Sequence, residues 1–261
     1  MRRARRAIGP ALALAAAAAA GAAAWPGHQA APRPPAPAGG LPAPPSGALR
    51  VGRPVPLRRL KDVSRWAPVL AATTARAAPG GRPVARLGTH TPEGTANLVV
   101  ALARRTDARG RLWVRVRLAS LPNGLTGWVP RRALGGYTEL DTRLVVSLER
   151  LTATLLRDGR PVLRVPVGVG RPAAPTPRGE FYVRDELTDY RSPEYGPLAF
   201  GTSARSATLT DWPAGGYVGI HGTDRPQLIP GRISHGCIRL RNADLLRLAR
   251  LMPVGTPLTV N

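Results

Sequence analysis

The sequence predicts a mainly β protein made of two β-rich domains, with one helix near the C-terminus. Short alternating or β-branched runs recur from residue 61 onward, and Gly, Asn, Asp and Pro turn signals separate them. The clearest helical apolar spacing follows Asn242. A chain of 261 residues has room for two modest domains once an export segment and a linker are subtracted.

The first 24 residues have the layout of a secretory signal peptide. Four arginines between Arg2 and Arg6 precede an apolar Ala/Leu stretch, and small residues follow at Ala22 to Ala24. We expect cleavage near Ala24 and export to the periplasm or cell wall. The stretch is short for a membrane span, so a retained anchor is the weaker alternative and no stable span is expected after cleavage.

Residues 25–60 are predicted to form a semi-rigid linker. Pro and Ala dominate this stretch, a composition that favours extended polyproline conformations and cannot build a core.

Residues 61–137 are predicted to form a small all-β barrel. Strands are expected at Asn97–Ala103 and Leu112–Leu118, each next to a turn signal that contains Gly. The order of Trp113-Val-Arg-Val, a Gly turn and Gly127-Trp-Val-Pro resembles bacterial SH3-like domains. Trp113 and Trp128 are either core aromatics or aromatics that stack on a ligand.

Residues 138–261 are predicted to form a second β-rich domain that folds without the preceding residues. The predicted strands are Thr142–Glu149, Thr152–Leu156, Pro161–Val167, Gly179–Val183, Tyr217–His221, Cys237–Arg241 and Pro257–Val260. The second and third of them are expected to pair as a hairpin across the turn Asp158-Gly159. Asn242 is expected to cap a helix that runs to about Leu251, with an apolar face made of Leu245, Leu246, Leu248 and Ala249. Residues 184–216 lack clear periodicity, and we expect an aromatic-rich lid there that places Tyr190 and Trp212 over the substrate.

The formal net charge of +23 favours anionic partners. Loss of the four arginines with the signal peptide would still leave +19. Export removes the protein from nucleic acid, so we expect no nucleic-acid partner, whereas wall carboxylates and phosphates are accessible. Part of the charge has an alternative origin in a GC-rich coding sequence, because Lys61 is the only lysine.

Cys237 is the only cysteine, so it forms no internal disulfide and is either a buried spectator or a thiol kept free for chemistry. A thiol attacks as a thiolate and needs a base or a lowered pKa. Two histidines are available, His221 at the end of a predicted strand and His235 two residues before the thiol. Alternatively, the three side chains are ligands of an open zinc site.

The turn before Cys237 is expected to support the reaction. Gly236 permits a tight backbone, so we place the oxyanion hole at the N–H groups of Gly236 and Cys237. Ser234 is expected to fix the loop through its hydroxyl. If the residues after the turn alternate, Arg239 lies on the thiol's face, where it binds a substrate carboxylate and lowers the thiol pKa. Its alternative role is an ion pair with Asp244.

The segments His221-Gly-Thr and Ser234-His-Gly-Cys-Ile-Arg-Leu resemble the catalytic signature of L,D-transpeptidases of the YkuD type. The resemblance implies a β-sandwich-like catalytic fold and transfer of a peptidoglycan stem-peptide acyl group through a Cys237 thioester. It assigns the base to His221, leaves His235 in a supporting role and adds Gly222 to the substrate contacts. It also implies inhibition by β-lactams of the carbapenem type, without a cofactor or metal.

Two alternatives stay open at this point. An L,D-carboxypeptidase would use the same site with water as the acyl acceptor. A non-catalytic wall-binding protein would use only the basic surface and the SH3-like domain.

Overall fold

The computed structural model describes residues 52–57, 63–188, 192–209 and 216–261. The predicted signal peptide, most of the predicted linker, and the predicted lid residues Tyr190 and Trp212 lie outside the described residues.

An antiparallel sheet, here called the N-terminal sheet, contains the first eight strands. They are β1 Val55–Pro56, β2 Ser64–Pro68, β3 Thr73–Arg76, β4 Pro83–Leu87, β5 Leu98–Thr106, β6 Leu112–Arg117, β7 Thr126–Pro130 and β8 Thr138–Leu140. The pairing order is β4-β3-β7-β6-β5-β2-β8, and β1 also pairs with β5. The predicted strands at β5 and β6 are confirmed, while the SH3-like assignment and the domain boundaries stay predictions.

A mixed sheet of ten strands, here called the C-terminal sheet, begins directly after β8. Its strands are β9 Thr142–Ser147, β10 Thr152–Arg157, β11 Arg160–Pro166, β12 Gly168–Gly170, β13 Gly179–Leu187, β14 Ala199–Arg205, β15 Tyr217–His221, β16 Gly231–Ser234, β17 Ile238–Arg239 and β18 Pro257–Val260. The order is β11-β10-β9-β18-β13-β14-β15-β17-β12-β16. The pairs β9–β18, β15–β17 and β12–β16 are parallel.

The predicted hairpin between β10 and β11 is confirmed. The two strands pair antiparallel, and the turn residues Asp158 and Gly159 both have positive φ, at 48° and 74°. This two-residue turn with positive φ at both positions matches the twist of the flanking strands, and Asp-Gly is a favoured sequence for it.

Strand β14 corrects the prediction of a long irregular segment at residues 184–216. Its sequence, Ala199-Phe-Gly-Thr-Ser-Ala-Arg205, shows no alternation because five of its seven residues are buried. A strand covered on both faces loses the polar positions that reveal strand periodicity. Because β14 pairs with both β13 and β15, it supports the strand that carries His221.

The helix α1 spans Asn242–Ala249, and two features differ from the prediction. Arg241 holds the N-cap position, and the side chain of Asn242 instead accepts a hydrogen bond from the N–H of Thr223. Leu245 and Leu248 are buried, but Leu246, predicted on the apolar face, is exposed. No helix in the described part of the chain is long and apolar enough to cross a membrane.

The described residues from Gly52 onward belong to one compact unit that contains both sheets. Each sheet has its own apolar core, and Trp113 and Trp128 are buried in the N-terminal sheet at 5% and 7% exposure. Burial favours the core role of these two aromatics over ligand stacking.

A third apolar cluster joins the sheets. It contains Leu98 and Val100 of β5, and Tyr182 of β13, whose hydroxyl donates to the carbonyl of Leu98. The C-terminal sheet is therefore packed against the N-terminal sheet through buried side chains.

Candidate active site

The predicted catalytic residues lie on two neighbouring strands of the C-terminal sheet. Strands β15 and β17 run parallel, and their register pairs Ile220 with Ile238 and His221 with Arg239. Residues paired in this way point to the same face of a sheet. The apolar pair is fully buried in the core, which leaves His221 and Arg239 on the opposite face.

Cys237 lies directly before β17 and is half-buried. The backbone N–H of Gly219 in β15 donates to its Sγ at 3.4 Å. A Cβ at position 219 would stand 3.9 Å from Sγ and 3.8 Å from Cδ2 of His221. The thiol and the imidazole therefore border the same small space in front of Gly219.

His221 is buried at the end of β15, and its neighbours fix its tautomer. Nδ1 lies 2.8 Å from the carbonyl oxygen of Gly222. A carbonyl only accepts hydrogen bonds, so Nδ1 carries the proton and Nε2 keeps a lone pair in the neutral ring. The ring of Tyr195 packs against the imidazole with a centroid distance of 4.5 Å. The imidazole is thus held as a base that acts through Nε2.

The site keeps His221 neutral. Burial lowers the pKa of His221 to about 4; the hydrogen bond to Gly222 opposes this shift, and the charge of Arg239 adds to it. Since the imidazole is uncharged at neutral pH, it is ready to accept a proton.

Burial also raises the pKa of the Cys237 thiol above its usual value, although the N–H of Gly219 and the charge of Arg239 lower it. Arg239 acts in the predicted direction, but desolvation is the larger effect, so the net shift of the thiol pKa is upward. The resting site therefore holds a neutral thiol beside a neutral imidazole, and the proton has to move when substrate is attacked.

The turn before the nucleophile is tied by Ser234, which is fully buried. Its Oγ donates to the carbonyl of Cys237 at 2.6 Å and accepts from the N–H of Gly236 at 3.1 Å. Gly236 has φ of 121°, a conformation that L side chains rarely adopt. Because its N–H is used by Ser234, the geometry favours the N–H of Cys237 over that of Gly236 as the oxyanion donor.

Arg239 lines the cleft next to the thiol. Its Nε is buried, and no acceptor for it is found among the described residues. The alternative partner Asp244 instead pairs with Arg247. Leaving a buried guanidinium N–H without a partner costs free energy, so this group is suited to donate a hydrogen bond to an anionic ligand.

Gly222 is buried and is not among the residues that line the cleft, so the geometry gives no support to its assignment to substrate binding. Its N–H donates to the carbonyl of Tyr195, and its carbonyl accepts from His221. A Cβ at this position would collide with the side chain of Asn242. Gly222 therefore orients the base from within the protein.

The cleft in front of the thiol has a volume of about 460 Å³. His235 is exposed and lines it, and its supporting role stays a prediction. Tyr195, which lies in the segment predicted as a lid, also lines the cleft. Arg171, Arg225 and Asp224 line it too, and the sequence predicted no role for them. The segment predicted as a lid contributes Ser206 and Leu209 to the cleft wall, and Tyr217, which begins β15 directly after that segment, lines the cleft as well. Pairing with β14 is the feature that brings it to the cleft.

No cluster of three or more His, Cys, Asp and Glu side chains suited to a metal ion occurs in the part of the chain that the structure describes. The geometry therefore gives no support to the alternative of a zinc site at His221, His235 and Cys237.

Comparison with known proteins places a family match on the C-terminal sheet. Residues 141–260 match the model of the L,D-transpeptidase catalytic domain, YkuD. This match supports an L,D-transpeptidase catalytic domain in that segment. The matched segment contains the thiol, the imidazole and Arg239, and it excludes the N-terminal sheet.

Two similar proteins are the candidate L,D-transpeptidases YkuD of Bacillus subtilis and Bacillus licheniformis. Each is 36% identical over 118 residues, which cover 45% of this chain and 65% and 64% of the respective relatives. The chain thus spans slightly less than two thirds of their length. A solved structure of the Enterococcus faecium L,D-transpeptidase catalytic domain is 28% identical, covers 46% of this chain and 96% of that domain, and has a TM-score of 0.35.

Proposed function

We propose that this protein is an exported peptidoglycan L,D-transpeptidase, with Cys237 as nucleophile and His221 as general base. The observation that carries the proposal is the arrangement around Gly219, where the thiol and a neutral imidazole held by Gly222 face one space. A nucleophile beside a base that is itself oriented by a third group is the arrangement that covalent acyl transfer requires. A non-catalytic wall-binding protein would need no such arrangement.

The acylation step follows from this geometry. Sγ forms a bond to the carbonyl carbon of a tetrapeptide donor while its proton moves to Nε2 of His221. The N–H of Cys237 donates to the oxyanion. When the intermediate collapses, the bond to the terminal D-alanine breaks and the leaving nitrogen takes the proton from His221. The acyl group is left as a thioester on Cys237.

The second step returns the enzyme to its resting state. An acceptor amine attacks the thioester and gives its proton to His221, the C–S bond breaks, and the sulfur takes that proton back. The buried N–H of Arg239 is placed to bind a stem carboxylate, which would position a substrate for attack. Positioning gives an amine its advantage over water, which is present at high concentration.

The test is product analysis with a purified tetrapeptide muropeptide at several acceptor concentrations. Chromatography with mass spectrometry should show cross-linked dimer rising with acceptor and tripeptide falling. If tripeptide dominates at every concentration, the protein is an L,D-carboxypeptidase and the transferase assignment is wrong.

Two variants and a matched control test the residues. Cys237→Ala should abolish both products, and His221→Ala should lower the rate by orders of magnitude. His235→Ala, which removes the other imidazole of the cleft, should act mainly through folding or site geometry, so the folded variant should keep the pH dependence of the wild type. Near-normal turnover by Cys237→Ala would overturn the proposal.

Inhibitor binding gives an independent test. By family resemblance, a β-lactam of the carbapenem type should leave a covalent adduct on Cys237, seen as a mass increase that Cys237→Ala lacks. An unmodified wild-type protein, under conditions where a thiol reagent labels Cys237, would count against a transpeptidase-type site.

A further inference from the structure

A second, larger groove lies on the N-terminal sheet, outside the matched catalytic segment. Its volume is about 800 Å³, and it is lined by Arg76, Arg111, Arg131 and Arg132 together with Thr73 and Trp113. Its lining residues include no acidic side chain. The groove crosses β3 and the adjoining ends of β6 and β7, which are neighbours in the sheet.

The charge of the groove is part of a wider excess. Residues 63–140 contain twelve arginines and three acidic residues, Glu93, Asp107 and Glu139, which gives a net charge of +9. All three acidic side chains are already paired with arginines, at Arg184, Arg111 and Arg65 respectively. The positive field over this sheet is therefore largely uncompensated and attracts anions.

Three of the four groove arginines are held in place by the fold. Arg76 donates to the carbonyl of Gly81 at 2.8 Å, and Arg131 donates to the carbonyl of Leu134 at 2.6 Å. Arg111 donates through Nε to Asp107 at 2.8 Å. A guanidinium fixed through one N–H loses less conformational entropy when its other donors bind a ligand.

The groove offers little to a ligand besides positive charge. Its only aromatic lining residue, Trp113, is 5% exposed, and its indole N–H is bonded to Asp107. No ring is therefore available for stacking on a nucleobase or on a neutral sugar. Nor does the lining contain a carboxylate to receive the ammonium groups that stem peptides carry.

We propose that this groove binds a cell-wall polymer whose repeats are linked by phosphodiesters. Guanidinium groups match phosphate oxygens bidentately, and a chain with one charge per repeat engages several fixed arginines at once. The choice of a wall polymer rests on the wall location implied by the proposed function. The groove would then anchor the catalytic domain near its substrate.

The test uses the full chain and poly(glycerol phosphate) of defined length, with binding measured at several salt concentrations. The logarithm of affinity should fall linearly with the logarithm of salt concentration. Arg76→Gln/Arg132→Gln should weaken binding roughly 10-fold at low salt and make the slope shallower by about 1.4. Product formation from soluble muropeptides should not change, because neither residue lines the cleft in front of the thiol.

The matched control is Arg86→Gln/Arg160→Gln, which removes the same charge from two exposed positions outside the groove. It should change the affinity much less than the groove variant. An equal loss in both variants would show diffuse attraction and overturn the groove assignment. If Arg76→Gln lowers the melting temperature, Arg111→Gln/Arg132→Gln serves as the second groove variant.

Three further probes decide the ligand class. Dextran should not bind, and poly-γ-glutamate and a single-stranded oligonucleotide of equal charge should bind more weakly than poly(glycerol phosphate). Equal binding of poly-γ-glutamate would overturn phosphate recognition, and tighter binding of the oligonucleotide would overturn the wall-polymer assignment. Because this assay does not involve acyl transfer, loss of the proposed activity leaves its result interpretable.

Discussion

A buried ion pair between the two sheets gives the strongest prediction about stability. Arg184 of β13 binds Glu93, which lies between β4 and β5, and their side chains are 2% and 15% exposed. The guanidinium also packs over the ring of Tyr217, with Cζ 3.9 Å from the centroid. Glu93→Gln keeps the shape of the side chain but leaves the buried charge of Arg184 without its main partner.

The expected cost follows from the burial. Removing one partner of a buried pair costs about 3 to 5 kcal/mol. Asp185 stays 3.3 Å from Arg184 and supplies part of the lost interaction, so we expect about 3 kcal/mol, the lower end of that range. For a protein of this size, that loss lowers the melting temperature by roughly 6 to 12 °C.

The assay is thermal unfolding followed by near-ultraviolet circular dichroism and calorimetry. Glu139→Gln is the matched control, because it breaks an ion pair with Arg65 in which the Glu139 side chain is 58% exposed. Such surface pairs contribute roughly 0 to 1 kcal/mol, so the control should unfold near the wild-type temperature. If Glu93→Gln also unfolds within about 2 °C of wild type, the reasoning about the buried charge is refuted.

The same contacts argue against the expectation that the C-terminal domain folds without the preceding residues. Deletion of residues 25–136 removes Glu93 and also Asn123, whose side chain makes two hydrogen bonds to the backbone of Arg205 at the end of β14. It also exposes Tyr182, which is 1% exposed in the full chain. We expect the truncated domain to be insoluble or strongly destabilised.

Three predictions concern the site itself. Because burial lowers the pKa of His221 to about 4, kcat/KM for acylation should stay flat from about pH 7 to about pH 5 and decline only near pH 4; an acid limb near pH 6.5 would refute this. Because burial raises the pKa of the thiol, Cys237 in the free enzyme should react with iodoacetamide at about pH 7 more slowly than a small-molecule thiol; faster labelling would indicate a preformed thiolate. Gly219→Ala should fold normally but slow acylation roughly 10- to 100-fold, since its Cβ would occupy the space between imidazole and thiol; an unchanged rate would show that the substrate approaches from elsewhere.

Local patterns in the sequence predicted the parts of the fold that depend on nearby residues. The hairpin at Asp158-Gly159 and the last strand, β18, follow from turn chemistry and alternation, and both are present. Strand β14 was not predicted, because burial on both faces removes the alternation of apolar and polar residues that marks a strand. The role of Asn242 was also wrong, because its partner Thr223 is distant in sequence and is brought close only by tertiary packing.

The candidate site shows the same division. Cys237, His221 and Arg239 were identified from a short motif, and the structure brings them to one face. The motif did not predict the direction in which the pKa of the thiol shifts, because desolvation depends on how deeply the turn is packed and not on residue type. Likewise, Gly222 belongs to the motif, but only the fold reveals that its carbonyl accepts a hydrogen bond from the imidazole of His221.

The parallel pairing of β15 with β17 has a consequence for how this site can change during evolution. The relative position of imidazole and thiol is set by the ladder between these strands. Residues 224–228, a part of the connection between the two strands, are exposed and include Asp224, Arg225 and Leu228 of the cleft wall. Loops outside a ladder tolerate substitutions and changes of length. Selection can therefore alter which molecules the cleft admits through this loop while leaving the relative position of imidazole and thiol intact, and the same loop is the place to begin engineering.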